Sequence, residues 1–220
     1  MLQASTINFL QVLKKNNNKE WFDKNRKVYE AAKADYLNFV TQVLTTLKQK
    51  DTSLEGLEPK QCVFRINRDV RFSKDKSPYK TNMGASFSKG GKKVQAAGYY
   101  FHLEPGQCFI GGGLWMPMAP ELKKVRQEID YCYDEFNKMV TNKKFVAQFG
   151  SLDKSEILSR PPKGYEETNA AIEYLKLKSF MASCPVNDAD LTSKDLVKKI
   201  VTAFDTMQPL IHFLNRALEG

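Results

Sequence analysis

Histidine is scarce in this sequence, with only His102 and His212 among 220 residues. The four cysteines, Cys62, Cys108, Cys132 and Cys184, stand far apart, and no C-x-x-C pair occurs. Together these shortages exclude the ligand spacings of a structural zinc site, so no metal is expected, and no cofactor either. The thiols read as ordinary buried groups of a reduced, cytoplasmic protein. No apolar run approaches the ~18 residues of a membrane span. Residues 1–5 open into a helical pattern without a basic segment and apolar run, so neither a signal peptide nor a membrane partner is expected. A phosphate loop is missing too: Gly111-Gly112-Gly113 leads into Leu114-Trp115 with no Gly-Lys-Ser/Thr after it. No serine stands in a G-x-S-x-G setting, which leaves acyl transfer without support. Internal repeats, low-complexity tracts and flexible linkers are all absent.

Positive charge is what the chain has in excess, and it is local. The 34 Lys and Arg outnumber the 25 Asp and Glu by nine. Ten of the basic residues fall within residues 60–93, against only Asp69 and Asp75, so nearly the whole imbalance lies in one stretch. A field of one sign concentrated in this way points to an anionic partner, either a small molecule or nucleic acid.

Hydrophobic periodicity divides the chain into helices and strands. Ser5 is placed to cap a short helix carrying Phe9, Val12 and Leu13, which ends at Asn16-Asn17-Asn18. Tyr29, Ala32, Tyr36, Val40, Val43 and Leu47 mark one face of a long second helix. From residue 61 the period changes to two, and residues 61–67 read as a strand. Residues 83–87, 94–104 and 107–115 read as three more, with Lys89-Gly90-Gly91-Lys92 as a hairpin tip and Pro105-Gly106 as a turn. On the third of these four strands Tyr99, Phe101 and Leu103 share one face and Tyr100, His102 and Glu104 the other.

Pro120 suits the first turn of a helix continued by Leu122, Val125, Ile129 and Cys132. Residues 175–180 alternate like an edge strand. Ser193 introduces a last helix with Leu196, Ile200, Phe204, Met207, Ile211, Leu214 and Leu218 on one face, which Pro209 is expected to kink or divide. The expectation is one α+β domain over residues 1–220, an antiparallel β-meander packed by long N- and C-terminal helices.

Within the basic stretch, residues 64–80 read F-R-I-N-R-D-V-R-F-S-K-D-K-S-P-Y-K. This segment resembles a widespread bacterial domain of unknown function, also found inside longer fungal proteins, marked by R-x-x-R-D-x-R-F followed by D-K-x-P-Y-K. Arg65, Arg68, Asp69, Arg71 and Phe72 supply the first half, and Asp75, Lys76, Pro78, Tyr79 and Lys80 the second. Residues 100–106, 111–115, 161–165 and 175–180 are similar to the same family, so the resemblance spans most of the chain. It implies a family and no activity, and no catalytic residue is carried over from it.

The residues themselves leave three readings open. In the first, Arg65, Arg68, Arg71, Lys76, Tyr79 and Lys80 bind a phosphate-bearing or other anionic ligand, the guanidinium groups acting as planar forks. Convergence of the three arginines requires a turn at residues 67–69, since strict alternation would send Arg68 to the other face. Aromatic residues Tyr99, Tyr100, Phe101 and Trp115 beside this basic run would fit a nucleic-acid partner. In the second reading the chain is an enzyme on an anionic substrate, with the arginines as clamp and Asp69, His102 or Glu104 moving protons. In the third, Asp69 and Asp75 pair with the arginines and the motif only braces the fold.

Overall fold

The computed structural model describes the backbone of residues 1–220 and every side chain but that of Lys93, one of the ten basic residues counted above. Helices α1 (Ala4–Lys15), α2 (Lys19–Lys24), α3 (Arg26–Lys48) and α4 (Pro59–Cys62) come first. Strands β1 (Met83–Ser88), β2 (Gly98–Leu103) and β3 (Phe109–Leu114) follow, then α5 (Ala119–Tyr131), α6 (Tyr133–Val140), α7 (Lys143–Phe149) and α8 (Ile172–Leu175). Strand β4 (Phe180–Pro185) and α9 (Leu196–Glu219) complete the chain. The fold is α+β: one antiparallel sheet in the order β1-β2-β3-β4, packed by the long N- and C-terminal helices.

The period-two patterning of β2 does what it implies. Tyr99, Phe101 and Leu103 are buried on the inner face, while Tyr100 and His102 are half-exposed on the outer one. Helices α3 and α9 cover the inner face, with Phe39 against Phe101 (5.5 Å between ring centres) and Phe204 against both Tyr99 (5.0 Å) and Phe87 (5.7 Å). Gly112 lets α9 come this close, because a Cβ there would collide with the Met207 sulfur. Gly113 has φ +126, and a Cβ would run into the Phe180 carbonyl of β4. The buried apolar residues form one contiguous cluster.

Several expectations are corrected. Residues 61–67 do not form a strand. Glu58 and Gln61 make a capping box, and with Pro59 in the first turn they start α4, leaving only single bridges at Val63 and Asn67. The sheet keeps its four strands because residues 180–185 supply the fourth, some 65 residues after β3. The segment 175–180, expected as a strand, instead ends α8, bridges Leu177 to Ile157 and reaches pairing geometry only at Phe180. Residues 89–97 are not a tight hairpin tip but a longer connection containing the 3₁₀ turn Gly91–Lys93.

Ser5 does not cap α1. Instead the Gln3 amide (3.0 Å) and the Thr6 hydroxyl (2.6 Å) both donate to Asp35 of α3, which satisfies the helix start from a neighbouring helix. Pro209 does not divide α9, which runs unbroken through it. Among the described residues no helix is long and apolar enough to cross a membrane.

Candidate functional site

The segment 63–80 is laid out by three anchors. Val63 bridges to Ala85 of β1, and Phe64 N–H donates to the Gly84 carbonyl (3.1 Å), so the chain enters along the sheet edge. Asn67 then bridges to Tyr79, with Arg68 N–H donating to Pro78 O (2.9 Å) and Lys80 N–H to Ile66 O (2.8 Å). The intervening residues 69–77 therefore form a loop closed at its base. The third anchor is Asn17, whose side chain both donates to Tyr79 O (2.9 Å) and accepts from Tyr79 N–H (3.1 Å). The Tyr79 ring stacks on Phe22 at 3.8 Å and is buried, which places this candidate site residue in the core.

Inside the loop each arginine has its own carboxylate. Arg68 pairs with Asp75 and also reaches Ser73 Oγ (3.3 Å), whereas Arg71 grips Asp69 with a fork, Nε to Oδ1 at 2.9 Å and Nη2 to Oδ2 at 2.6 Å. Asp75 also accepts from Ser77 N–H (2.9 Å), and bonding from Ser77, then Arg68, holds its carboxyl far below the ordinary range. Asp69 is likewise held down, first by Arg71. Lys76 donates to the Val70 carbonyl (3.0 Å). At the tip Phe72 is 97% exposed, with the Arg71 guanidinium 5.9 Å from its ring centre. Arg68 and Arg71 thus do not converge on one point; the two aspartates order them separately.

A different group of cations does converge. The Lys80 ammonium lies 5.4 Å from the centre of the Phe64 ring and that of Lys92 lies 5.5 Å from it. Lys92 donates to the Val63 carbonyl, which brings the 89–97 connection over the motif. The Lys80 amine is held below its ordinary value by burial, then by Arg65 and by Lys92. Among the described residues none of Arg65, Lys80 and Lys92 makes an ion pair. The meeting of Lys92 with Phe64 escapes a linear reading, because only the 89–97 connection, folded back over the motif, brings residue 92 to residue 64. The high density of lysine at residues 89–93 was the available signal.

On the outer face of the sheet, Tyr100, His102 and Glu104 form a chain of side chains. The Tyr100 hydroxyl donates to His102 Nδ1 (3.1 Å), and His102 Nε2 donates to Glu104 Oε2 (3.3 Å), the tautomer that the carboxylate selects. Glu104 also accepts from Thr81 (3.1 Å) and Lys14 (3.3 Å). Burial works against its ionisation, but the bonds from His102, Thr81 and Lys14 outweigh that and keep its carboxyl below the ordinary value. The imidazole lies flat on Phe109 at 4.7 Å, and both of its nitrogens are engaged. Tyr100 stands 6.2 Å from Phe64, so this chain borders the cation group, whereas Asp69 sits out on the loop with Arg71. Of the aromatic residues expected to serve a nucleic acid, Tyr99 and Phe101 are buried on the inner face, and only Tyr100 and Trp115 reach the outside.

All four cysteines are free, and burial pushes the Cys62 thiol up to about 12 and that of Cys108 to about 11, so neither is a thiolate nucleophile near neutral pH. Among the described residues no three His, Cys, Asp or Glu side chains gather as they would around a metal ion.

Comparison with curated proteins and with solved structures gives no match. A family model does: that of the conserved hypothetical protein family DUF2461 matches residues 5–213, which takes in every element from α1 to most of α9. The chain belongs to the DUF2461 family.

Proposed function

We propose that this protein binds a small phosphate-bearing ligand at the group formed by Arg65, Lys80 and Lys92 around Phe64. One observation carries the reading: the Lys80 and Lys92 ammonium groups meet at a single partly exposed ring, with Arg65 near enough to Lys80 to lower its amine and no ion pair to any of the three among the described residues, while Arg68 and Arg71 are already matched by Asp75 and Asp69. Like charges brought together repel, and the arrangement becomes favourable when an anion sits among them. Compactness favours a small ligand over nucleic acid, because burial of Tyr99 and Phe101 leaves little surface on which successive bases could stack. The paired arginines brace the tip of the loop, while the bridge between Asn67 and Tyr79 at its base holds Lys80 in place.

Isothermal titration with pyrophosphate tests this. Affinity is expected to fall as salt rises, and Lys80→Glu or Lys92→Glu to weaken it by about tenfold or more, the worth of one charge-assisted hydrogen bond. Arg71→Ala, which removes a cation already paired, is expected to leave affinity within about twofold. Absence of binding, salt-independent binding, or equal losses from Arg71→Ala and Lys80→Glu overturns the proposal. Tighter binding of single-stranded DNA than of pyrophosphate, lost with the same lysines, would replace the small ligand by nucleic acid.

A further inference from the structure

Behind the Phe64 ring, between α3 and the segment 60–66, lies a cleft of about 320 Å³. Its volume falls within the ~300–1,000 Å³ of small-molecule sites. The walls are apolar, built from Tyr29, Leu37, Phe64, Ile66 and Met83, and the Tyr36 ring closes the floor with its hydroxyl spent on the Met83 carbonyl (3.2 Å). Besides the Tyr29 and Tyr36 phenols, three lining side chains are polar: Lys33, Lys60 and Asn82. No carboxylate lines the cleft. Lys33 pairs with exposed Glu30 (3.3 Å) and lies 5.8 Å from the centre of the Tyr29 ring, and among the described residues neither Lys60 nor the Asn82 amide has a side-chain partner.

The larger cleft of about 720 Å³ between α6, α7 and α9 makes a useful contrast. It carries Lys138, Lys144 and Asp205, so both signs of charge, and Asp205 is already paired with Lys50 (3.1 Å). It therefore selects no charge type, whereas the cleft behind Phe64 does.

We infer that the cleft between α3 and residues 60–66 binds an amphipathic anion, a small acid whose apolar body lies against Tyr29, Leu37 and Ile66 and whose charged head meets Lys33, Lys60 and Asn82. Apolar walls supply the driving force by removing hydrocarbon from water. Two ammonium groups and one amide set the orientation, and as point charges on flexible stems they accept a carboxylate or a phosphate monoester alike. Phe64, 41% exposed, is the wall this cleft shares with the Arg65–Lys80–Lys92 group, but the inference does not rest on that group. Tyr29 and Leu37 lie two helical turns apart on α3, which sets the reach of the body at roughly 12 Å at 1.5 Å per residue. That is the length of a medium-chain acid or a two-ring aromatic acid.

The test follows backbone amide shifts of the whole protein by NMR while octanoate, octanol or 1-naphthyl phosphate is added. Octanoate is expected to move the amides of Leu37, Ile66 and Met83 saturably, and to bind about tenfold more tightly than octanol, the alcohol lacking the charge. The exposed double variant Lys33→Glu/Lys60→Glu is expected to weaken octanoate by about tenfold or more with its thermal transition unchanged, whereas Lys80→Glu leaves it within about twofold. Octanol binding as tightly as octanoate, an undiminished affinity in the Lys33→Glu/Lys60→Glu protein, or no saturable shift from either acid overturns the inference. Loss of octanoate binding with Lys80→Glu alone also overturns it, by moving the head group to the other side of Phe64. Pyrophosphate binding serves as the internal reference: it reports on Lys80 and Lys92, so failure at one site is separable from failure at the other.

Discussion

Asp51 is nearly sealed from solvent, yet three elements meet at its carboxylate. It accepts from Ser53 N–H (3.0 Å) and Ser53 Oγ (2.6 Å) in its own turn and from the Tyr99 hydroxyl of β2 (2.6 Å), with His212 Nε2 of α9 at 3.3 Å. Burial opposes its ionisation, but these bonds outweigh burial and hold the carboxyl below its ordinary value, while burial and Asp51 drive the Tyr99 phenol well up. A depressed folded-state pKa means stabilisation present at neutral pH and lost as pH falls below the unfolded value of about 3.9. Asp51→Asn is therefore expected to lower the melting temperature at neutral pH, and the gap from the parent protein to shrink as pH drops below about 4. A gap independent of pH would show that the charge plays no part. Tyr99→Phe, which strips one donor from a buried carboxylate, is expected to cost about 1–3 kcal/mol in urea denaturation. Beyond the local bonds from Ser53, this network is not legible in the sequence, because Asp51, Tyr99 and His212 are separated by 48 or more residues and only the packed inner face brings them together. The same holds for Lys92 and Phe64 at the candidate site.

Elements with a long, consistent period were legible, and those decided by caps or distant partners were not. Helices α3 and α9 and strand β2 have buried residues at the positions their spacing implies, apart from the partly buried Tyr29 and Leu218 near helix ends, because each presents one face to a single core. Residues 61–67 alternate like a strand, but Glu58, Pro59 and Gln61 carry start signals for a helix, and one capped turn consumes the first residues of that alternation. Alternation in residues 175–180 is real burial without a ladder, since Leu175 and Leu177 are buried by α8 and by the Ile157 bridge. Pro209 follows a different logic. It lies exposed in the middle of α9, where it removes the hydrogen bond to the Asp205 carbonyl, yet the flanking Met207, Leu210 and Ile211 are buried deeply enough to hold the helix through it. An interior proline costs ~3 kcal/mol, and the stiffening it gives the unfolded chain returns about 0.4–1 kcal/mol. Pro209→Ala is expected to stabilise the protein by about 2 kcal/mol, read as a higher urea midpoint at unchanged slope. Unchanged or lower stability would mean that the proline relieves a clash in the groove beside α7.

For the molecule as a whole, the basic stretch contains two populations that net charge cannot separate: cations matched by Asp69 and Asp75, and cations gathered around Phe64. The first population makes the loop rigid and the second leaves the surface positive. The sheet has a comparable division, since β1, β2 and β3 are contiguous in sequence while β4 and α9, one of the two helices covering the inner face, come from about the last forty residues. A fragment ending at residue 178 is expected to unfold without a cooperative transition, in contrast to a single sharp transition for the full chain; a sharp melt of the fragment would show that β4 and α9 are dispensable for stability. Because β4 closes the sheet, synthesis imposes an order on this protein. While the ribosome is still adding residues 115–179, the edge of β3 has no partner within the same chain, and of the inner face only the part that α3 reaches around Phe101 is covered, so Phe87 and Tyr99 wait as a sticky, half-built surface. Speed of translation through that interval, and the chaperones waiting at the exit tunnel, therefore bear on yield more than the melting point of the finished molecule does.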